Sequence, residues 1–310
     1  MKKIRIWFFI GKLKIFFFLI LLDMSFIVKG EIYAGETLRF IATIHGDEVS
    51  KPFNQPCGFF YDESRKRIYI ADTRNNRLVS YDSQFTFLSE FSAEGKLELP
   101  TSLVRDRRGR LIVTESKKNQ VTLIDIKNKK YDPLDFSKVP TGDPVVPGNL
   151  AIDKKNQLYV VDRANKRILV FNESGKYIRG ITIKEGLGGF NDVKVGEDGN
   201  IYAIDTLKGR VYIFNQEGKL LRKFGERNKG EGKFDFPVSL AVDRRGLVYV
   251  IDRHKNRLLV YNQKGDYIEG YSQIGWKEGR FYYPTYIFID QSQRIFIIDR
   301  DNNRIQVYKR

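Results

Sequence analysis

Histidine and cysteine are nearly absent from this 310-residue chain: two of the first, one of the second. His45 and His254 fall on different predicted elements, an outer strand and a surface turn, which excludes a zinc centre built on three histidines. With Cys57 alone no internal disulfide can form, and a lone thiol at the start of a predicted strand is expected to be buried rather than reactive. No nucleophile elbow and no phosphate-binding loop occurs. Helical periodicity is missing after residue 30, which points to an all-β chain. These absences leave no conventional catalytic set, no cofactor motif and no resident metal.

What the chain has in quantity is a repeat. The stretch Leu247–Tyr261, LVYVIDRHKNRLLVY, reads as two strands around a polar turn, with Arg the fifth residue after the closing Asp. Counterparts end at Tyr81, Phe171, Phe214 and Tyr308, and a weaker copy ends at Ile124. Their acidic anchors, Asp72, Glu115, Asp162, Asp205, Asp252 and Asp299, stand 43, 47, 43, 47 and 47 residues apart. A period in the forties without helices denotes the blades of a propeller. The first strands are expected at 58–62, 102–106, 149–153, 192–196, 239–243 and 286–290, each followed by a tight polar turn such as Asp243-Arg-Arg-Gly246. The chain stops after the third strand of the sixth repeat, while Leu38–His45 is a strand with no repeat before it. Pairing the two would complete the last blade and remove an open edge. The expectation is a six-bladed β-propeller of four-stranded antiparallel blades over residues 31–310.

Residues 1–30 read as a targeting segment: a basic start, then the apolar run Ile15–Leu22 and a further apolar piece to Val28. The run is shorter than the ~20 residues of a spanning helix. The segment is expected to be a cleaved export signal or, if retained, a membrane anchor, and either places the folded part outside the cytoplasm. The formal charge of +16 includes +5 from these residues (six Lys/Arg against Asp23), so +11 remains on the rest. A basic balance favours acidic partners or surfaces.

The pattern of Pro, a short strand ending in Asp, then an aromatic-containing strand ending in Asp with Arg five residues on, resembles that of NHL repeats, which form six-bladed propellers. The Gly-rich spacers Gly225–Pro237 and Gly275–Pro284 are similar too. The resemblance covers residues 38–310. It weakens in the second repeat, with Glu115 and Gln120, and in the fourth, with Phe190 and Gly196. It implies binding in general, RNA among the ligands of some relatives, though an export signal argues against nucleic acid here. The histidine count argues against the three-histidine zinc chemistry of the amidating-lyase relatives.

Three groups of candidate residues follow. The Asp–Arg pairs recur in nearly every blade and so are expected to be structural, each Arg fork satisfying a carboxylate at a blade junction. The turns between them carry Arg74, Lys117, Lys118, Arg163, Lys166, Lys208, Arg253, Lys255 and Arg300, a basic crown on one face. The loop Gly275–Pro284 adds Trp276, Tyr282 and Tyr283, aromatic residues suited to an interface. Finally, where the repeat pattern usually has Gly after the Pro, this chain has Ser102, Asn149, Asp192, Ser239 and Tyr286, a polar ring expected at the channel mouth. The function expected is a non-catalytic binding or scaffold module for a protein or an acidic envelope polymer. The alternative is a Ca²⁺-dependent, lactonase-like hydrolase at the channel mouth around Asn149 and Asp192.

Overall fold

In the computed structural model, described over residues 38–46, 49–140, 142–183, 186, 188–228 and 230–310, strands alternate with tight turns from end to end. The export segment expected over residues 1–30 lies outside the described residues. Among those described, no helix is long and apolar enough to cross a membrane.

Six four-stranded antiparallel sheets form, and we name their strands a to d in chain order. Blade 1 is Gly58–Asp62, Arg67–Asp72, Arg77–Asp82 and Phe87–Phe91. Blade 2 is Pro100–Arg105, Leu111–Glu115, Gln120–Asp125 and Lys130–Pro133. Blade 3 is Pro147–Ile152, Leu158–Asp162, Arg167–Phe171 and Tyr177–Ile181. Blade 4 is Phe190–Val195, Ile201–Asp205, Arg210–Phe214 and Leu220–Phe224, and blade 5 is Pro237–Val242, Val248–Asp252, Arg257–Tyr261 and Tyr267–Ser272. Blade 6 takes Pro284–Ile289, Arg294–Asp299 and Arg304–Lys309 from the C-terminal end, and its strand d is Arg39–Ile44. That last pairing, from Arg39 opposite Lys309 to Ile44 opposite Ile305, closes the ring as expected.

In blades 2 to 6 strand a begins two residues earlier than the repeat suggested. The Pro or Phe before it pairs with the acidic anchor of strand b, as Pro237 does with Asp252, and an irregularity follows at once. The Asp at the far end of strand a leaves the ladder because its carboxylate is used in the turn. Asp243, for example, accepts the Arg245 and Leu247 amides, both at 2.9 Å.

Each blade alone would expose both faces, and the apolar clusters accordingly lie between neighbours. Strand b supplies a large buried ring at the same position in five blades, Tyr69, Tyr159, Tyr202, Tyr249 and Phe296, with Ile112 in blade 2. Tyr159, Tyr202 and Tyr249 donate from their hydroxyls to the turn carboxylates Asp153, Asp198 and Asp243 at 2.9–3.1 Å, so the polar tip is satisfied. Antiparallel connection puts every b–c turn, and the loop leading into every strand a, at one end of the ring, and the a–b and c–d turns at the other. We call the first end the crown face.

Candidate functional site

The crown is built on the acidic anchors. Asp72 and Arg77, Asp162 and Arg167, Asp252 and Arg257, and Asp299 and Arg304 pair at 2.8–3.1 Å, each Asp fully buried. The carboxylate also takes backbone amides from the loop leading into its own blade: Asn54 by Asp72 at 2.7 Å, Phe236 by Asp252 at 3.0 Å, Tyr282 by Asp299 at 2.7 Å. In blade 4 Asp205 takes the amides of Gly188 and Lys208, at 2.7 and 3.0 Å. In blade 2 Glu115 takes the Glu98 amide and pairs with Lys118, while Gln120 reaches Thr122. The anchors therefore hold loops, the structural role expected of them.

Arg304 shows what the anchoring positions. Its guanidinium donates to the carbonyls of Trp276, Lys277 and Arg280, all at 2.8 Å, and Asn302 donates to that of Gly275 at 3.1 Å. Phe281, 2% exposed, plugs the same loop into the core. A loop clamped at four carbonyls and one buried ring presents Trp276 to solvent, 75% exposed. Beside it the rings continue. Tyr282 lies 6.0 Å from Trp276 and 5.3 Å from Tyr283, between ring centres. Tyr283 lies 6.5 Å from His254, and His254 stacks on Phe236 at 4.2 Å. Arg253 covers Phe236 with its guanidinium 4.7 Å from the ring centre. Six side chains from blades 5 and 6 thus form one aromatic arc ending in a cation. Sequence reasoning missed Phe236 and His254. Phe236 was legible as the residue before Pro237, in the place that Tyr283 takes before Pro284.

Of the basic residues expected on the crown, Lys117 pairs with Glu98 at 2.6 Å, Lys255 with Asp235 at 3.9 Å and Arg300 with Asp301 at 2.8 Å. Among the described residues, Arg74, Arg163, Lys166, Lys208 and Arg253 make no ion pair. Arg74, Lys166 and Lys208 are exposed. Arg163 lies across Gly148, where a Cβ would stand 2.8 Å from its Nε. Burial, then the charge of nearby Arg300, lowers the Arg253 guanidinium below its ordinary value, and its Nε is buried without an acceptor. Cys57 is half-buried rather than fully buried; its thiol donates to the Gln55 carbonyl at 3.4 Å, and burial pushes it up.

The polar ring sits inside the channel rather than at its mouth. Ser102, Asp192, Ser239 and Tyr286 are buried, and Asn149 is half-buried. Asp192 accepts from the Asn149 amide at 3.0 Å, the Ser239 hydroxyl at 2.6 Å and the Leu240 amide at 3.2 Å. Ser239 in turn accepts the Ile287 amide at 3.2 Å, so one network stitches blades 3, 4, 5 and 6. Ser102 does the same from blade 2, accepting the Leu150 amide at 3.0 Å. Both oxygens of Asp192 also take the Lys194 ammonium, at 2.7 Å, and that ammonium lies 4.2 Å from the Tyr286 ring centre. Burial alone would lower Lys194; Asp192 and Tyr286 outweigh it and hold the ammonium above its ordinary value. The reading from sequence missed Lys194. Its signal was a lysine on the same strand face as Asp192, where the other blades place Phe60, Val104, Ala151, Ala241 and Phe288. At the far end the channel opens into a cavity of about 360 Å³ that reaches Lys194. Of its carboxylates, Asp62, Asp290 and Glu197 are held by Arg105, Arg294 and Arg244, at 2.7, 2.6 and 3.3 Å, while Glu63 and Asp153 make no ion pair among the described residues. No group of three or more potential metal ligands occurs among the described residues.

The family model DUF5128, described as a 6-bladed beta-propeller, matches residues 186–269 and 238–309, which are blades 4 to 6. A comparison with curated proteins finds no match. Among solved structures, a gluconolactonase from Xanthomonas campestris superposes with a TM-score of 0.66 at 14% identity, over 89% of this chain and 95% of its own. An auxiliary nutrient binding protein from Bacteroides ovatus gives 0.65 at 13% identity, over 88% and 77%. A catalytically inactive virginiamycin B lyase from Staphylococcus aureus, solved with quinupristin, gives 0.63 at 13% identity, over 82% and 80%. At these identities the likeness is one of fold, a fold that hosts enzymes and binding proteins alike. The chain is a six-bladed β-propeller.

Proposed function

We propose that this protein is an exported, NHL-type propeller that acts as a rigid, non-catalytic binding platform, its crown face holding a protein or an acidic envelope polymer. The observation that carries the reading is the arc Trp276–Tyr282–Tyr283–His254–Phe236 ending at Arg253. Aromatic and arginine side chains are the usual anchors of protein interfaces. Here the arc rests on a clamped loop, so little ordering entropy opposes binding. Arg253 and Arg300 stand close enough to oppose each other's charge, and the Arg253 Nε lacks an acceptor. An anionic group arriving between them would relieve both.

The Ca²⁺-dependent hydrolase is the second reading, and the channel chemistry weighs against it. A catalytic dication needs carboxylate oxygens free to coordinate. Asp192 is fully buried and neutralised by Lys194.

The test is cross-linking in the native envelope followed by quantified capture of the recovered partner. Replacing Trp276 and Tyr283 together by Ala is expected to lower its affinity at least tenfold, about 1.4 kcal/mol or more. The melting temperature should stay within a few degrees of wild type. Capture that survives the double substitution removes the crown from the proposal.

A further inference from the structure

Three departures from the repeat meet at the junction of blades 1 and 2, on the side of the ring away from the crown turns. The strand-c residue opposite the strand-b ring position (Ile112 in blade 2) is Leu123, Val170, Ile213, Val260 and Val307 in blades 2 to 6, but Ser80, opposite Tyr69, in blade 1. Ser80 faces Ser89 on strand d, with their hydroxyls 2.9 Å apart. The strand-a residue just before the a–b turn Asp (Gly196 in blade 4) is Tyr61, Ile152, Val195, Val242 or Ile289 in five blades, and Arg105 in blade 2. Arg105 crosses to blade 1 and takes Asp62 at 2.7 Å. That leaves Arg67 without the partner its counterparts have, since Arg110 pairs with Asp106 and Arg294 with Asp290, at 2.7 and 2.6 Å.

The result is a groove of about 440 Å³ between the blades. The groove between blades 2 and 3 shrinks to about 10 Å³, with Leu123 and Leu134 in the space. Arg65, Arg67 and Lys127 line the larger groove and make no ion pair among the described residues; the Arg67 Nε is buried with no acceptor, and the one lining carboxylate, Asp125, is occupied by the Asn128 amides at 3.0 and 2.7 Å. Phe91 and Ile126 supply an apolar wall. Its volume lies within the roughly 300–1,000 Å³ of small-molecule sites.

We propose that this groove binds a small organic anion, a carboxylate or phosphate head between Arg65 and Arg67 and an apolar body against Phe91 and Ile126. The planar guanidinium fork suits either head group. The space exists because blade 1 replaces an aliphatic side chain by Ser80, and the charge exists because Arg105 displaces Arg67 from Asp62. Neither serves the propeller, because five blades close without them. The site is independent of the crown, and its failure leaves the platform reading untouched.

Calorimetric titration of the full chain at low ionic strength, with phenyl phosphate and with benzoate, tests it. Saturable binding of either is expected, with inorganic phosphate at least tenfold weaker. Ser80→Val, which restores the side chain found in blades 3, 5 and 6, should weaken binding at least tenfold without lowering the melting temperature. Arg67→Gln should weaken it by a similar factor, which guards against a Ser80 variant that fails to fold. No saturable binding of either probe, equal binding of inorganic phosphate, or binding unchanged in both variants overturns the proposal.

Discussion

The crown over blades 5 and 6 and the crown over blades 3 and 4 rest on the same scaffold and present different chemistry. In each blade a buried Asp takes an amide of the incoming loop: Phe236 and Tyr282 in one half, Val146 and Gly188 in the other. In one half the loops carry Phe236, Trp276, Tyr282 and Tyr283. In the other the exposed crown side chains include Lys166 and Lys208, with no aromatic arc among the described residues. What the repeat shares holds backbone, and what it leaves free decides the surface. The groove beside blade 1 follows the same rule, since Ser80 and Arg105 depart from the shared pattern and Arg105 takes the carboxylate that Arg67 would otherwise hold.

The comparison breaks first if the shared scaffold is not what supports both halves. Deleting Arg39–Ile44 strips strand d from blade 6 and bares the edge of Arg304–Lys309, so loss of cooperative thermal unfolding is the expected result. A truncated chain that melts like the full one would refute closure of the ring by this strand.

A paired substitution sharpens the contrast. Asp299→Ala orphans the buried Arg304 and should cost about 3–5 kcal/mol in chemical denaturation. It should also free the Trp276 loop and abolish crown capture. Asp162→Ala orphans the slightly more exposed Arg167, so its stability loss should be somewhat smaller, and capture should persist. Equal loss of capture in both would mean that the two halves are not functionally distinct.

A smaller effect is expected in the channel. Asp192→Asn leaves Lys194 buried without its counter-charge and should lower stability by about 2–3 kcal/mol at pH 7, because the lysine can shed its proton. In the wild type Lys194 is held above its ordinary value, so its stabilisation is complete below that value and is lost only as pH rises through the raised one. In the variant burial dominates, the folded state prefers the neutral amine, and stability should climb with pH. The deficit should therefore narrow between pH 7 and pH 10, and a constant deficit would show that Lys194 does not depend on Asp192.

Much of the architecture was legible because it is written in local chemistry. Alternating apolar residues make strands, Asp-X-X-Gly turns them back, and a period in the forties counts the blades. Counting strands was enough to place Arg39–Ile44 beside Arg304–Lys309. The structural role of the Asp–Arg pairs was legible from their recurrence alone. The polar ring was legible as a ring but not as an interior: nothing local to Asp192 says that Asn149, Ser239 and Leu240 converge on it from neighbouring blades.

The sequence by itself determined the propeller, its blade count, its closure and which end carries the basic turns, since each depends on residues within one repeat or on the bookkeeping of repeats. Only the tertiary structure decided that Lys194 neutralises Asp192 and that His254 bridges Phe236 and Tyr283. It alone joined Ser80, Arg67 and Arg105 around one groove. Those outcomes depend on contacts between blades, where side chains distant along the chain meet at distances of a few ångströms and compete for the same partners.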